Sequence, residues 1–187
     1  MRLFISINLP ANLKDALSNR LSNFKKETLN DIRWVKEENW HITLKFLGEI
    51  EEERVEKIKE KITYVARNNR QQSIRFSRIA AFPSLENPRV IFIGLDDTTR
   101  TLTKLYRDIG AQFSEKPGPF TPHLTIGRVK ERADKRKISG LLKEYQELDF
   151  SPFELKIEKI SLMKSVLQRN GPIYEELYFI NLMESSD

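Results

Sequence analysis

The sequence predicts a mixed fold, α+β or α/β, built on a mostly antiparallel sheet. Three observations lead there. Strand-like segments are mixed with helical ones at intervals along the 187 residues, a length that suits one domain or two small lobes sharing a core. Two pairs of strand patterns are joined by short turn signals, "PSLENP" between residues 73–82 and 89–95 and "QRNGP" between 153–167 and 173–182. Finally, two strand patterns carry the same His-x-Thr signature, "HITL" from position 41 and "HLTI" from position 123. Their separation suits two lobes of similar make, each giving one strand to a shared cleft.

In chain order, "RLFISI" (2–7) is apolar enough for a first strand. Leu13, Leu17, Leu21 and Phe24 recur at helical spacing after Pro10 and predict a helix over 11–26. "IRWV" (32–35) is a short strand and "WHITLKFLG" (40–48) a strictly alternating one. Residues 51–68 form a charged helix that opens on glutamates, which suit a helix N-terminus, with Val55, Ile58, Ile62 and Val65 as its buried stripe. Strands at 73–82 and 89–95 precede a helix over 98–115 carrying Leu102, Leu105, Tyr106 and Ile109. "HLTIGRV" (123–129) is a strand entered through Pro122, 134–147 a helix, and the closing hairpin follows.

Composition removes several function classes. With no cysteine, disulfides, thiolate catalysis and cysteine zinc sites are excluded, and a reducing, cytoplasmic setting is expected. The opening "MRLFISINLP" reads as a strand rather than a signal peptide, and no apolar run approaches the ~20 residues of a membrane helix. The net charge of +5 allows a polyanionic partner, although 27 acidic residues are mixed among the 32 basic ones.

The histidines carry the chemistry. Residues i and i+2 of a strand share a face, so alternation predicts His41, Thr43 and Lys45 on one face and Ile42, Leu44 and Phe46 on the core face. His123 and Thr125 share a face in the same way. With nine threonines in 187 residues, chance alone places one after both histidines about 0.2% of the time. Two facing imidazoles make an acid–base pair near neutral pH, and two hydroxyls can donate to phosphoryl oxygens. This set suits attack of water on a phosphodiester: one histidine takes the water proton and the other protonates the leaving oxygen. Neither motif has a carboxylate on the same face, and no H-E-x-x-H, G-x-S-x-G or glycine-rich phosphate loop occurs, so neither metal nor cofactor is expected.

Around these motifs, "MRLFISINLP", "RWVKEENWHITLKFLGE", "FPSLENPRVIFIGL", "FTPHLTIGRVK" and "SLMKSVLQRNGPIYEELYFI" resemble the 2H phosphoesterase superfamily. Within it they are similar to the RNA 2′,3′-cyclic phosphodiesterases, once named 2′-5′ RNA ligases. The resemblance spans nearly the whole chain. It implies one bilobal α+β domain over 1–187, with two mostly antiparallel sheets facing a central cleft in pseudo-twofold symmetry and helices outside. It implies metal-independent opening of a terminal RNA 2′,3′-cyclic phosphate to a 2′-phosphomonoester, with reversible 2′-5′ joining as a side activity. By position His41 is the proton donor, His123 the acceptor, and Thr43 and Thr125 the phosphate contacts. Arg128 matches a basic position after the second motif; alternation turns it away from His123, unless Gly127 permits a bulge. Arg128 and Lys45 are candidate RNA or phosphate contacts, and Trp34, Trp40, Phe82 and Phe120 candidate stacking residues. A monomer acting on RNA ends or small cyclic nucleotides, with no membrane partner, is expected. An RNA-end binding protein that turns nothing over is the alternative from another class.

Overall fold

The computed structural model describes residues 1–114, 118–169 and 171–184. β1 (Arg2–Asn8) is followed by α1 (Ala11–Arg20), α2 (Ser22–Thr28), β2 (Ile32–Trp34), a 3-10 turn (Glu37–Asn39) and β3 (His41–Glu49). A second 3-10 turn (Glu52–Arg54) leads into α3 (Val55–Ala66), then β4 (Gln72–Phe82), β5 (Val90–Asp96) and α4 (Thr101–Gln112). β6 (His123–Val129), α5 (Lys135–Tyr145), β7 (Glu154–Ile157), β8 (Lys159–Gln168) and β9 (Gly171–Asn181) complete the chain. The expected helix end at residue 115 and Asn170 of the last turn lie outside the described residues.

The apolar stripes behave as their spacing demands. Leu13, Leu17, Leu21 and Phe24 are all buried, although the single helix expected over 11–26 is two helices meeting at Leu21. Helical bonding continues across the junction, from Leu21 N–H to the Leu17 carbonyl (3.1 Å) and from Lys25 N–H to Leu21 (2.9 Å). Val55, Ile58, Ile62 and Val65 face the core, but the glutamates before them wind as a 3-10 turn. α4 starts later than expected because Asp97 takes its free N–H groups, accepting from Leu102 (2.9 Å) and Thr103 (2.8 Å). Tyr106, carried by α4 as expected, is half-buried and stacks on Phe120 at 4.2 Å.

All pairings between strands are antiparallel, and the order is β7-β4-β5-β6-β3-β1-β8-β9, with β2 beside β6. The two expected sheets are therefore two halves of one curled sheet. One half runs outward from the junction as β3-β1-β8-β9 and the other as β6-β5-β4-β7. At the junction only Ile42 and Leu124 pair, so β3 and β6, the two histidine strands, meet at the narrowest point of the sheet. The apolar face carries the core, from Ile5 and Ile42 in one half to Ile93 and Leu124 in the other. No helix among the described residues is long and apolar enough to cross a membrane.

Candidate active site

Both histidines are held in the same way. His41 Nδ1 lies 2.7 Å from the Asn39 carbonyl, and His123 Nδ1 lies 2.7 Å from the Thr121 carbonyl. A carbonyl only accepts, so each Nδ1 carries a proton and each neutral ring offers Nε2 as its base. Two aromatic rings flank each imidazole. His41 sits against Phe4 (4.9 Å between centroids) and Tyr174 (5.3 Å, edge-on); His123 sits against Phe92 (5.1 Å) and Phe82 (5.1 Å, edge-on). The residues facing them across the ladder are Asn8 for His41 and Gly94 for His123.

The strands also share an irregularity that alternation could not show. In β3, Thr43 pairs with Ser6 and Lys45 with Ile5, leaving Leu44 as an extra residue. In β6, Thr125 pairs with Phe92 and Gly127 with Ile91, leaving Ile126 extra. The fourth residue of each His-x-Thr-[Leu/Ile] motif is thus a bulge, and a bulge reverses the facing of everything after it. Lys45 is turned to the core side, opposite buried Ile5, with its Nζ over the Phe113 ring at 5.4 Å. This corrects the expected place of Lys45 on the His41 face. Phe46, expected in the core, takes that face instead; it is 72% exposed and lies 6.2 Å from Phe4.

The same reversal works in favour of Arg128. Gly127 points at the core, where an added Cβ would lie 2.6 Å from Ile32 Cγ2, so Arg128 is exposed on the side of His123 and Thr125. Its charge, with that of Arg2, opposes the rise in the Tyr174 pKa that burial causes. Tyr174 touches His41, so Arg128 from one half acts on a ring that flanks the histidine of the other.

Burial lowers the pKa of both imidazoles, and the carbonyl bonds to Asn39 and Thr121 oppose this only in part. For His41 the charges of Lys14 and His123 lower it further, which places the second imidazole within electrostatic reach of the first. The halves also differ at Nε2. That of His41 lies 3.0 Å from the Thr43 hydroxyl, whereas that of His123 and the Thr125 hydroxyl have no protein partner among the described residues.

The 3-10 turn before β3 fixes this arrangement. Glu38 carbonyl accepts from Lys14 Nζ at 2.8 Å, and the buried Asn39 side chain donates to the Pro172 carbonyl at 2.9 Å, tying the β8–β9 hairpin to the His41 anchor. Beside it, Ser161, Lys159 and Asn8 donate to Glu176; burial pushes its carboxyl up, but these bonds hold it below the usual range. Sequence patterning offered no signal for Lys14, Asn39 or Tyr174, since their roles depend on contacts distant in the chain. Of the aromatic candidates, Phe82 lies at His123. Trp40 is 1% exposed in the core, and Trp34 packs edge-on to Phe24 at 5.6 Å, beside Lys25. Phe120 stacks on Tyr106 instead.

Chemically, the open face carries two Nε2 atoms, two hydroxyls and a guanidinium. Among the described residues no three His, Asp or Glu side chains converge as metal ligands would.

Comparison with known proteins also finds the two histidine motifs as a repeat in the sequence. The family model described as LigT-like phosphoesterase matches the chain twice, over residues 7–92 and 93–174, one histidine motif in each. The RNA 2′,3′-cyclic phosphodiesterase of Methanocaldococcus jannaschii is 37% identical, over 94% of this chain and 97% of its own. That of Thermotoga maritima is 35% identical, over 95% and 94%. Among solved structures, TT0787 of Thermus thermophilus superposes over the full length of both chains with a TM-score of 0.80 at 26% identity. Two matches to one family model, near-complete relatives and the shared fold make this chain a member of the LigT-like phosphoesterase family.

Proposed function

We propose that this protein hydrolyses a terminal 2′,3′-cyclic phosphate on RNA to a 2′-phosphomonoester, without a metal, as one unit in which each half supplies one histidine. The observation that carries the reading is the matched pair of imidazoles. Each has Nδ1 fixed on the carbonyl two residues before it and Nε2 turned to the open face. The names of the relatives from M. jannaschii and T. maritima supply the substrate class.

In the proposed reaction a water oxygen attacks phosphorus while His123 Nε2 takes the water proton. The P–O3′ bond breaks in line with the attack, and His41 Nε2–H delivers a proton to O3′. The Thr43 and Thr125 hydroxyls and the Arg128 guanidinium donate to the non-bridging oxygens, where negative charge builds. The near-symmetric geometry does not by itself rank the two histidines; the family resemblance assigns His41 as acid. In the free site burial favours neutral rings, and a bound phosphodiester anion raises both pKa values, which populates the acid form His41 needs. Joining through a 2′-5′ bond follows the same path, with a ribose 5′-hydroxyl attacking phosphorus in place of water and O3′ leaving.

The test is incubation of an RNA ending in 2′,3′-cyclic phosphate with the protein in excess chelator, followed by digestion to identify the new end. A 2′-phosphate formed at the unchelated rate is expected. A 3′-phosphate end would reverse the roles of the two histidines. A rate that collapses with chelator and returns with zinc or manganese would replace the two-histidine mechanism by a metal one.

A further inference from the structure

The bulge at Ile126 leaves a feature that ring opening alone does not need. β2 takes the place beside β6 past the Ile42–Leu124 pair, and it pairs Ile32 with Val129, Arg33 with Arg128 and Trp34 with Gly127. Residues directly opposite in an antiparallel pair share a face with their Cβ atoms about 5 Å apart. Ile32 and Trp34 pack on the core side, so Arg33 stands beside Arg128 on the open face, and both are exposed. Like charges in this relation destabilise a sheet, and no carboxylate forms an ion pair with either among the described residues.

From Thr125 to Arg128 is two ladder steps, about 7 Å along β6. Arg33 lies one strand over from Arg128, in the column beside β6 that β3 occupies at Ile42. We propose that Arg33, in register with Arg128, binds the RNA backbone one phosphate upstream of the cyclic phosphate. Guanidinium groups hold the phosphates of single-stranded nucleic acid without regard to sequence. The site is thereby built for an oligonucleotide end rather than for a lone cyclic nucleotide. The inference rests on the cyclic phosphodiesterase reading above.

The experiment compares kcat/KM for a short RNA ending in 2′,3′-cyclic phosphate with that for a mononucleoside 2′,3′-cyclic phosphate. Wild type, Arg33→Gln and Arg33→Lys are used, with Arg107→Gln, an exposed arginine on α4, as the control for net charge. Wild type should prefer the oligonucleotide, and Arg33→Gln should lower that preference about tenfold, the loss of one charge-assisted phosphate contact. The dependence of log kcat/KM on log salt for the oligonucleotide should flatten by about 0.7, one phosphate contact to a single strand. Arg33→Lys should keep most of the salt dependence, and Arg107→Gln the full preference. Turnover of both substrates with a preference that Arg33→Gln does not change, or that Arg107→Gln lowers equally, overturns the subsite and leaves the cyclic phosphodiesterase reading standing. Turnover of neither by wild type overturns that reading itself.

Discussion

β3 and β6 carry the same pattern, the same carbonyl anchor on each Nδ1, two rings flanking each imidazole and the same bulge at the fourth motif residue. Five residues on from each histidine they part company: β3 presents Phe46 and β6 presents Arg128. The bulge is the device that brings both side chains round to the histidine face. On the proposed mechanism, the repeated part of the motif holds a proton carrier, while the residue just past the bulge sets what each wall offers. One wall is apolar and suits a base; the other is cationic and suits phosphate.

The strongest way to break the comparison is to remove its shared element. His41→Ala and His123→Ala should each lower kcat by about 10²–10⁴-fold, as loss of a general acid or base does. Circular dichroism should show an intact fold, since both rings lie on the open face. Near-normal turnover in either variant would end the pairing of roles. Next comes the part that differs. Arg128→Ala should lower kcat by about 10²–10³-fold, as loss of a charge-stabilising donor does. Phe46→Ala should instead raise KM for an RNA end roughly tenfold, the worth of one stacked base. If both variants shifted the same parameter, the two walls would not have separate tasks.

The bulge itself can be tested at Gly127, where a Cβ would meet the buried Ile32 side chain at 2.6 Å. Gly127→Ala should cost about 1–3 kcal/mol by overpacking, read from denaturant unfolding. Lys45→Ala, at the equivalent ladder position of β3, should leave kcat unchanged because Lys45 faces the core side. The smallest effect is on stability against pH. Burial lowers both histidine pKa values in the folded protein, whereas an unfolded chain binds these protons near pH 6.5. Their share of stability is therefore complete above about pH 6.5 and is lost as pH falls toward the folded pKa values. A His41→Gln/His123→Gln double variant should show a flatter stability profile below neutral pH; an unchanged slope would mean other groups set it.

Much of this was legible in the sequence. The His-x-Thr repeat located both histidines, and the stripes of α3 and of α1 with α2 were buried residue for residue. What stayed hidden was parity. Strict alternation placed Lys45 on the site and Phe46 in the core, and both were reversed, because a bulge depends on the partner strand and leaves the local pattern intact. Gly127 was the one local sign of such a reversal, and it applied to β6 alone. Arg33 and Tyr174 were invisible for a related reason: each reaches the open face through pairing or ring contacts with elements far away in the chain.

In the proposed reaction two equivalent histidines do opposite work, His123 on the water and His41 on the leaving oxygen. A substrate whose bridging 3′-oxygen is replaced by sulfur tests this directly, because a thiolate leaves without being protonated. Single-turnover rates on this analogue should be restored toward wild type in His41→Ala and remain low in His123→Ala. Rescue of His123→Ala in place of His41→Ala, or rescue of neither, would contradict the assignment.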